Sequence, residues 1–216
     1  MNVLPRAVVF DLDGTLLDTF PAIIKAWNAA MREALGREYA PEEVIARFGV
    51  PDVQMLEREL TGVPEVIRSA AVESYFAVYA AVHDKVLPFD GIPELLGHLR
   101  ERGIPLAIMT GKGRRTADIT LQYVRWESLF VDVVTGDDVQ EQKPAPEGAI
   151  KAARALGVPP EACVFAGDSP ADICAGRNAG MFTVAAAWHT YYGEKLRAAG
   201  PDLWAAHPRD LMTLFP

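Results

Sequence analysis

Short runs of apolar residues alternate along the chain with longer segments in which apolar residues recur at a helical period. Each short run is continuously apolar, as expected of a strand that is buried on both faces of a parallel sheet. This alternation predicts an α/β fold with a parallel sheet. The predicted strands are Ala7 to Leu12, Pro105 to Met109, Val131 to Val134, Ala162 to Ala166 and Phe182 to Ala186.

The clearest helical segments begin at a proline or a capping residue, both of which favour a helix start. Two of the segments are followed by Gly157 and Gly180, at the position where glycine commonly ends a helix. The four predicted helices are Ile92 to Arg102, Arg114 to Tyr123, Pro146 to Leu156 and Pro170 to Ala179.

One long interval contains no convincing strand. Between Thr15 and about Lys85 at least three helical patterns follow one another, and apolar residues share one face in the first and the last of them. We expect residues 16–85 to form a small helical bundle inserted into a core of residues 1–15 and 86–216. Because it leaves directly after the first strand, the bundle is expected to stand over the strand ends, where α/β folds bind ligands.

The composition is that of an ordinary globular protein, since 50% of the 216 residues are hydrophobic and 23% are charged. A formal net charge of −8 disfavours nucleic acid and anionic lipid as partners. We find no pattern of a membrane span or a signal peptide, and the two cysteines suit a reducing compartment. We therefore expect a cytoplasmic monomer or homodimer that acts on a small molecule.

The strongest chemical signal follows the first predicted strand. Asp11 and Asp13 stand at alternate positions at its end, and Gly14 then allows a sharp turn. Two carboxylates in this place suit nucleophilic and acid-base chemistry, although aspartates also cap turns through their own backbone. The residues at the other strand ends are needed to choose between these two interpretations.

Polar residues also follow the other strands. Thr110 and Gly111 offer a hydroxyl and backbone N–H groups that can bind an anion, or that simply start a helix. Lys143 precedes a predicted helix, where a lysine is usually a surface residue. Asp168 and Asp172 lie one helical turn apart after the fourth strand, where Asp168 or Ser169 could simply start the helix as a cap.

Taken together, these strand ends predict a metal-assisted site for phosphoryl transfer. Four carboxylates within a few ångströms require a hard cation such as Mg²⁺ among their oxygens. Lys143 supplies a further positive charge, and Thr110 a hydroxyl. The four acids are Asp11, Asp13, Asp168 and Asp172.

The order of these residues resembles the four motifs of the haloacid dehalogenase superfamily. The motif residues are Asp11-Leu12-Asp13-Gly14-Thr15, then Thr110, then Lys143, then Gly167-Asp168 with Asp172. The resemblance covers the whole chain and implies a Rossmann-like core with an inserted helical cap. It further implies a small phosphorylated metabolite as the substrate and Mg²⁺ as the cofactor.

The resemblance also implies a role for each motif residue. Asp11 would be the nucleophile and Asp13 the general acid and base. Thr110 and Lys143 would bind the phosphoryl group, with Gly111 beside them. Asp13 would reach the metal through its backbone carbonyl. The implied metal ligands are Asp11, Asp13, Asp168 and Asp172.

Sequence details narrow the branch of the superfamily. Dehalogenase-like members lack the second aspartate, and phosphonatase-like members need a cap lysine, which is absent between Lys25 and Lys85. A mutase like β-phosphoglucomutase commonly has extra basic cap residues, whereas the loop of residues 47–51 offers only Arg47. The chain therefore looks like a phosphatase similar to phosphoglycolate phosphatase, with an inorganic pyrophosphatase as the alternative.

Arg47 is a candidate for binding the carboxylate of phosphoglycolate by bidentate pairing, although it can equally be a solvated arginine at a helix end. Two other classes of protein remain as alternatives. A signalling receiver domain holds an aspartyl-phosphate with similar residues but is about half as long and has no helical insertion. A binding protein without activity is disfavoured because no expected catalytic position is substituted.

Overall fold

Six parallel strands form one sheet in the computed structural model, which describes residues 5–189 and 191–216. The strands are β1 (Ala7–Phe10), β2 (Leu106–Met109), β3 (Asp132–Val134), β4 (Cys163–Gly167), β5 (Phe182–Ala186) and β6 (Leu203–Ala205). Their order is β3-β2-β1-β4-β5-β6, with every neighbouring pair parallel. This is the strand order of a doubly wound Rossmann fold, so the predicted α/β class is confirmed.

Four helices occupy the interval between β1 and β2 for which no strand is predicted. They are α1 (Phe20–Leu35), α2 (Pro41–Ile45), α3 (Asp52–Glu59) and α4 (Glu65–Ala81), and we call them the insert helices. The long helices α1 and α4 pack against each other. Their buried side chains, including Trp27, Met31 and Tyr75, join Val8 and Phe10 of the sheet in one apolar cluster. The boundaries of the cap at residues 16 and 85 stay a prediction.

Helices on both faces of the sheet complete the fold. They are α5 (Ile92–Glu101), α6 (Arg114–Val124), α7 (Glu147–Ala155), α8 (Pro170–Asn178), α9 (Gly193–Ala198) and α10 (Arg209–Met212). The four helices predicted in this part of the chain are all present, within one residue at either end. None of the described helices is long and apolar enough to cross a membrane.

Two strand predictions differ from the structure by more than one residue at an end. The first strand ends at Phe10 rather than Leu12, because the chain turns at Gly14, whose φ is +80°. The short edge strand β6 was not predicted at all. Its three residues are apolar, but the run is shorter than those of the central strands, and Leu203 and Trp204 are only half-buried at the edge of the sheet.

Candidate active site

The carboxyl ends of β1, β2 and β4 lie side by side. Phe10 of β1 pairs with Ile108 of β2 and with Ala166 of β4, so the residues that follow these strands share one edge of the sheet. A cavity of about 320 Å³ lies between this edge and the insert helices. Seven of the eight predicted site residues line it: Asp11, Asp13, Thr110, Gly111, Lys143, Asp168 and Asp172.

Asp11 lies on the floor of the cavity, and only 5% of its surface is exposed. Its backbone N–H donates to the carbonyl of Ala166, 2.9 Å away, which continues the β1–β4 ladder by one residue. The Lys143 ammonium donates to Asp11 Oδ1 over 2.7 Å. Burial raises the pKa of Asp11 to about 7; Lys143 opposes the rise, and the carboxylates of Asp172 and Asp13 add to it.

Lys143 joins Asp11 to Asp172. Its Nζ also donates to Asp172 Oδ1 over 2.5 Å, and Ser169 Oγ donates to Asp172 Oδ2 over 2.6 Å. Ser169 is the N-cap of α8, and Asp172 completes a capping box with it. Asp172 therefore serves as a cap and as a member of the cluster at once.

Asp168 is the least satisfied carboxylate of the cluster. Thr15 Oγ1 donates to its Oδ1 over 3.3 Å, but its buried Oδ2 has no hydrogen-bond partner among the described residues. Burial raises the pKa of Asp168 well above its usual range, and the charges of Asp11 and Asp172 raise it further. This side chain is poorly stabilised as an anion unless a cation binds beside it.

Asp11, Asp168 and Asp172 fit a divalent metal. Each offers a carboxylate oxygen, and the three atoms lie within 4.8 Å of one another. Gly14 gives the group room, because a Cβ there would lie 2.4 Å from Asp168 Oδ2. Oxygen-only donors, clustered negative charge and an orphaned carboxylate oxygen are the features of a site for a hard cation.

Thr110 and Gly111 form the side of the cavity opposite Asp168. Thr110 is buried at the end of β2, where its N–H donates to the carbonyl of Val134 over 2.9 Å. Its hydroxyl accepts from the N–H of Lys112 over 3.2 Å. This turn presents a hydroxyl and backbone N–H groups beside the Lys143 ammonium, an arrangement that suits an anion.

Asp13 is held by two side chains on the rim of the cavity. Thr19 Oγ1 donates to its Oδ1 over 2.5 Å. Lys112 Nζ lies 3.1 Å from Asp13 Oδ2, close enough for an ion pair. Among the described residues, however, Nζ has no hydrogen-bond acceptor in good geometry. Burial alone would lower the pKa of Lys112, but the carboxylate of Asp13 and the Tyr79 hydroxyl outweigh it and raise that pKa.

Asp52 lines the cavity and connects the insert to the core. It is the first residue of α3, and its Oδ2 accepts from the N–H of Gly113 over 2.9 Å and from Thr116 Oγ1 over 2.5 Å. Tyr75 of α4 donates its hydroxyl to Oδ1 over 2.6 Å. A carboxylate from the insert thus caps the start of the core helix α6.

The remaining insert side chains that line the cavity are apolar. Phe20 and Ile23 come from α1, Phe48 and Val50 from the loop before α3, and Met55 from α3. The rings of Phe20 and Phe48 meet edge to face, with centroids 5.4 Å apart. We call these five residues the apolar wall.

The structure does not bring Arg47 to the cavity, contrary to the expectation that it meets the substrate. Its Nε donates to Glu59 Oε2 over 2.6 Å, and its guanidinium packs 4.8 Å from the centre of the Tyr39 ring. Glu59 lies on α3, so a charge partner within the insert already satisfies the arginine. The residue neither lines the cavity nor faces the other predicted site residues.

Sequence reasoning missed Lys112 and Asp52. The run from Thr110 to Gly113 was interpreted through its hydroxyl and backbone alone, although a lysine between two glycines was visible in it. Asp52 follows Pro51 at a helix start, which is a common surface arrangement. Its partners Gly113 and Thr116 lie more than sixty residues away in the chain, and local pattern carries no trace of them.

Comparison with known proteins gives one consistent family. The family model described as haloacid dehalogenase-like hydrolase matches residues 8–186. Pyrophosphatase PpaX from Anoxybacillus flavithermus is 32% identical over 216 residues, covering 100% of this chain and 98% of that protein. A phosphoglycolate phosphatase from Xylella fastidiosa is 34% identical over 211 residues, covering 95% of this chain and 88% of that protein.

A solved structure extends the likeness to the fold. The crystal structure of a predicted phosphoglycolate phosphatase from Haemophilus somnus superposes with a TM-score of 0.87. The match covers 99% of both chains at 21% identity, which shows a shared fold.

Proposed function

The chain belongs to the haloacid dehalogenase-like hydrolases, and from that membership we propose that it is a phosphatase that hydrolyses a small phosphate monoester. One observation carries the proposal. Asp11 is buried at the end of β1, bonded to Lys143, with the second aspartate Asp13 two residues further on and two more carboxylates around it. This arrangement suits a carboxylate nucleophile that becomes phosphorylated and is then freed by water.

Asp11 attacks phosphorus in line and forms an aspartyl-phosphate as the alcohol departs. The reaction needs Asp11 as a carboxylate, but burial raises its pKa to about 7. The Lys143 ammonium, 2.7 Å from Oδ1, favours the ionised form, and a bound cation would favour it further. Lys143 thus both activates the nucleophile and binds the phosphoryl oxygens.

Asp13 acts as the general acid and base. Protonated, it delivers its proton to the oxygen of the leaving alcohol; ionised, it accepts a proton from the water that attacks the aspartyl-phosphate. Its contacts with Thr19 and Lys112 hold the carboxyl on the rim of the cavity, where the leaving group would lie. Lys112 is in this view a positioning residue.

Mg²⁺ would be held by the carboxylates of Asp11, Asp168 and Asp172 and by the backbone carbonyl of Asp13. When bound, it supplies neutralisation of the charge on the phosphoryl oxygens. Thr110 and the N–H groups of the following turn bind those oxygens from the opposite side. The chain's own donors thus surround the phosphoryl group in both half-reactions.

Pyrophosphate hydrolysis is the second candidate function, favoured by the likeness to pyrophosphatase PpaX. The same nucleophile and acid serve an anhydride as well as an ester. A mutase of the β-phosphoglucomutase kind finds less support, because no basic side chain of the insert lines the cavity within the described residues. A receiver domain is excluded by the family match.

The remaining parts of the proposal concern the setting of the reaction. Residues 16–85 form a cap that covers the core of residues 1–15 and 86–216 and excludes bulk water. The enzyme works in the cytoplasm as a monomer or homodimer, on a small phosphorylated metabolite and without nucleic acid or membrane partners.

Release of inorganic phosphate tests the proposal. With Mg²⁺ present, the wild-type protein is expected to turn over p-nitrophenyl phosphate and members of a panel led by 2-phosphoglycolate and pyrophosphate. Asp11→Asn should abolish turnover, because an amide is a very poor nucleophile. Chelation of the metal should do the same to the wild type. Undiminished Mg²⁺-dependent activity of Asp11→Asn would contradict the assignment, and a complete lack of activity in the wild type would favour the binding-protein alternative.

A further inference from the structure

We propose that the insert selects a phosphate monoester whose organic group is small, uncharged and apolar. The inference rests on the proposed function, because it concerns the group that remains when the phosphoryl is transferred. The proposed substrate differs from those in the names of the relatives, a phosphoglycolate phosphatase and a pyrophosphatase. In both of those substrates the leaving group, glycolate or phosphate, carries a second anion.

The apolar wall is the first observation. All five of its side chains face the cavity from the insert, and among the described residues the insert adds one charged group to the lining, Asp52. That carboxylate is already bonded to Gly113, Thr116 and Tyr75. Being negative, it would also repel a second anion on the substrate. The insert therefore offers an organic group dispersion contacts and no ionic partner.

The balance of charge in the cavity is the second observation. Four carboxylates of the core face Lys112 and Lys143, and one divalent cation would complete their neutralisation if all four were ionised. With Asp13 protonated as the general acid, one positive charge is left over for the phosphoryl group. Lys143 is bonded to Asp11 and Asp172, and Lys112 lies beside Asp13. The transferred phosphoryl group itself brings negative charge. A carboxylate or a second phosphate on the leaving group would lie in this cavity without a cation of its own, which is unfavourable in a buried site.

Arg47 is the third observation. A basic side chain that reached the cavity would let the cap bind a second anion by ion pairing, and Arg47 is the nearest in sequence to Phe48 and Val50 of the wall. The ion pair with Glu59 and the contact with Tyr39 hold it elsewhere. The size of the cavity, about 320 Å³, is at the lower end of the range of roughly 300–1,000 Å³ for small-molecule sites, which favours an organic group of a few carbon atoms.

A matched pair of substrates tests the proposal directly. Isobutyl phosphate and 2-phosphoglycolate have organic groups of nearly the same shape, since two methyl groups of the first replace the two carboxylate oxygens of the second. With Mg²⁺ present, we expect kcat/KM for isobutyl phosphate to exceed that for 2-phosphoglycolate by about tenfold or more, in the range that an apolar pocket gives. Pyrophosphate should also be a poor substrate.

Substitutions in the wall provide the second arm of the test. Val50→Lys adds a cation to the wall and should shift the ratio of the two kcat/KM values towards 2-phosphoglycolate by about tenfold. Val50→Leu keeps the wall apolar and should leave the ratio unchanged. Val66→Lys adds the same charge on α4 at a residue that is 77% exposed and outside the cavity, and should also leave it unchanged.

Lys112→Met separates the proposal from its strongest rival, in which Lys112 binds a second anion. Under our proposal both esters slow in equal proportion, because Lys112 acts through Asp13 whichever substrate is bound. A loss confined to 2-phosphoglycolate would overturn the proposal, as would a wild-type kcat/KM for 2-phosphoglycolate equal to or above that for isobutyl phosphate. In either case the phosphatase assignment stands. Absence of phosphate release from every ester would instead overturn the assignment and the inference together.

Discussion

The two sides of the cavity are built on opposite principles. The sheet side carries four carboxylates and two lysines. Most of them follow the ends of β1, β2 and β4, whose positions are fixed by the β1–β2 and β1–β4 registers, while Lys143 comes from the loop before α7 and Asp172 from α8. The insert side carries the apolar wall on helices and a loop, which pack on the sheet through buried apolar side chains and are hydrogen-bonded to the start of α6 through Asp52. Rigid backbone therefore positions the reacting groups, whereas packing surfaces are left to recognise the organic group.

Loss of Asp13 tests the sheet side and gives the largest of the three effects considered next. Asp13→Ala should lower kcat for alkyl phosphates by roughly 10²–10⁴-fold, because their alcohols need a proton to depart. With p-nitrophenyl phosphate, whose leaving group departs as an anion, the first half-reaction should survive and the second should not. Rapid mixing should then show a burst of nitrophenolate followed by slow turnover. An effect on substrate affinity alone would remove the general acid and base role from Asp13.

Loss of Asp52 has an intermediate effect, on stability, and tests the contact between the insert and helix α6. Asp52→Ala leaves the Gly113 N–H and the Tyr75 hydroxyl without their acceptor, while the Thr116 hydroxyl keeps the Gly113 carbonyl at 3.0 Å, so the free energy of unfolding should fall by about 1–3 kcal/mol. Urea denaturation measures this change. The matched control is Glu57→Ala, which removes an exposed acid from the same helix and should stay within about 0.5 kcal/mol of the wild type. Equal effects of the two changes would show that the contact with α6 contributes nothing.

Acidification should have the smallest effect on stability. It acts at a second contact between the insert and α6, which involves His83. His83 is buried between α4 and α6, where its Nδ1–H donates to the carbonyl of Tyr79 and its Nε2 faces Thr120 Oγ1 over 3.0 Å. Burial lowers the pKa of His83 in the folded protein, with the charge of Lys112 adding to the fall. The folded state then binds fewer protons than the unfolded state, so stability from this group is present above the unfolded pKa of about 6.5 and is lost as the pH falls below it.

Thermal unfolding between pH 8 and pH 5 tests this dependence on His83. His83→Gln keeps a side chain that can donate and accept but does not titrate, so its Tm should fall less steeply with acidification than that of the wild type. If Tm fell equally with pH in the two proteins, His83 would make no contribution to the pH dependence of stability.

The sheet side was largely predictable from the sequence. Buried parallel strands are continuously apolar, and polar residues at their ends must meet at one edge, so the sequence predicts that Asp11, Thr110 and Asp168 lie close together, and all three line the cavity. The edge strand β6 was not predicted because an apolar run of only three residues, two of them half-buried, is too short to mark a strand. The direction of the Lys112 side chain could not be predicted, because the local sequence allows it to point either to solvent or towards Asp13.

The insert side was not predictable in the same way. Its helices were expected from their period, but the partners of a single side chain depend on how the helices pack. Arg47 was expected at the substrate and instead pairs with Glu59, twelve residues later. Asp52 carried no local signal, and its acceptor role exists only because α3 comes to rest against the start of α6.

The central place of β1 in the sheet has an evolutionary consequence. The whole insert leaves the sheet directly after this strand and returns before β2, its neighbour on one side, so the insert can change in sequence, length or helix number without altering any strand pairing. Duplicated copies of such a gene can therefore diverge in what they recognise while inheriting one reaction intact. A chimaera that exchanges residues 16–85 with those of a relative would reproduce this divergence in a single step.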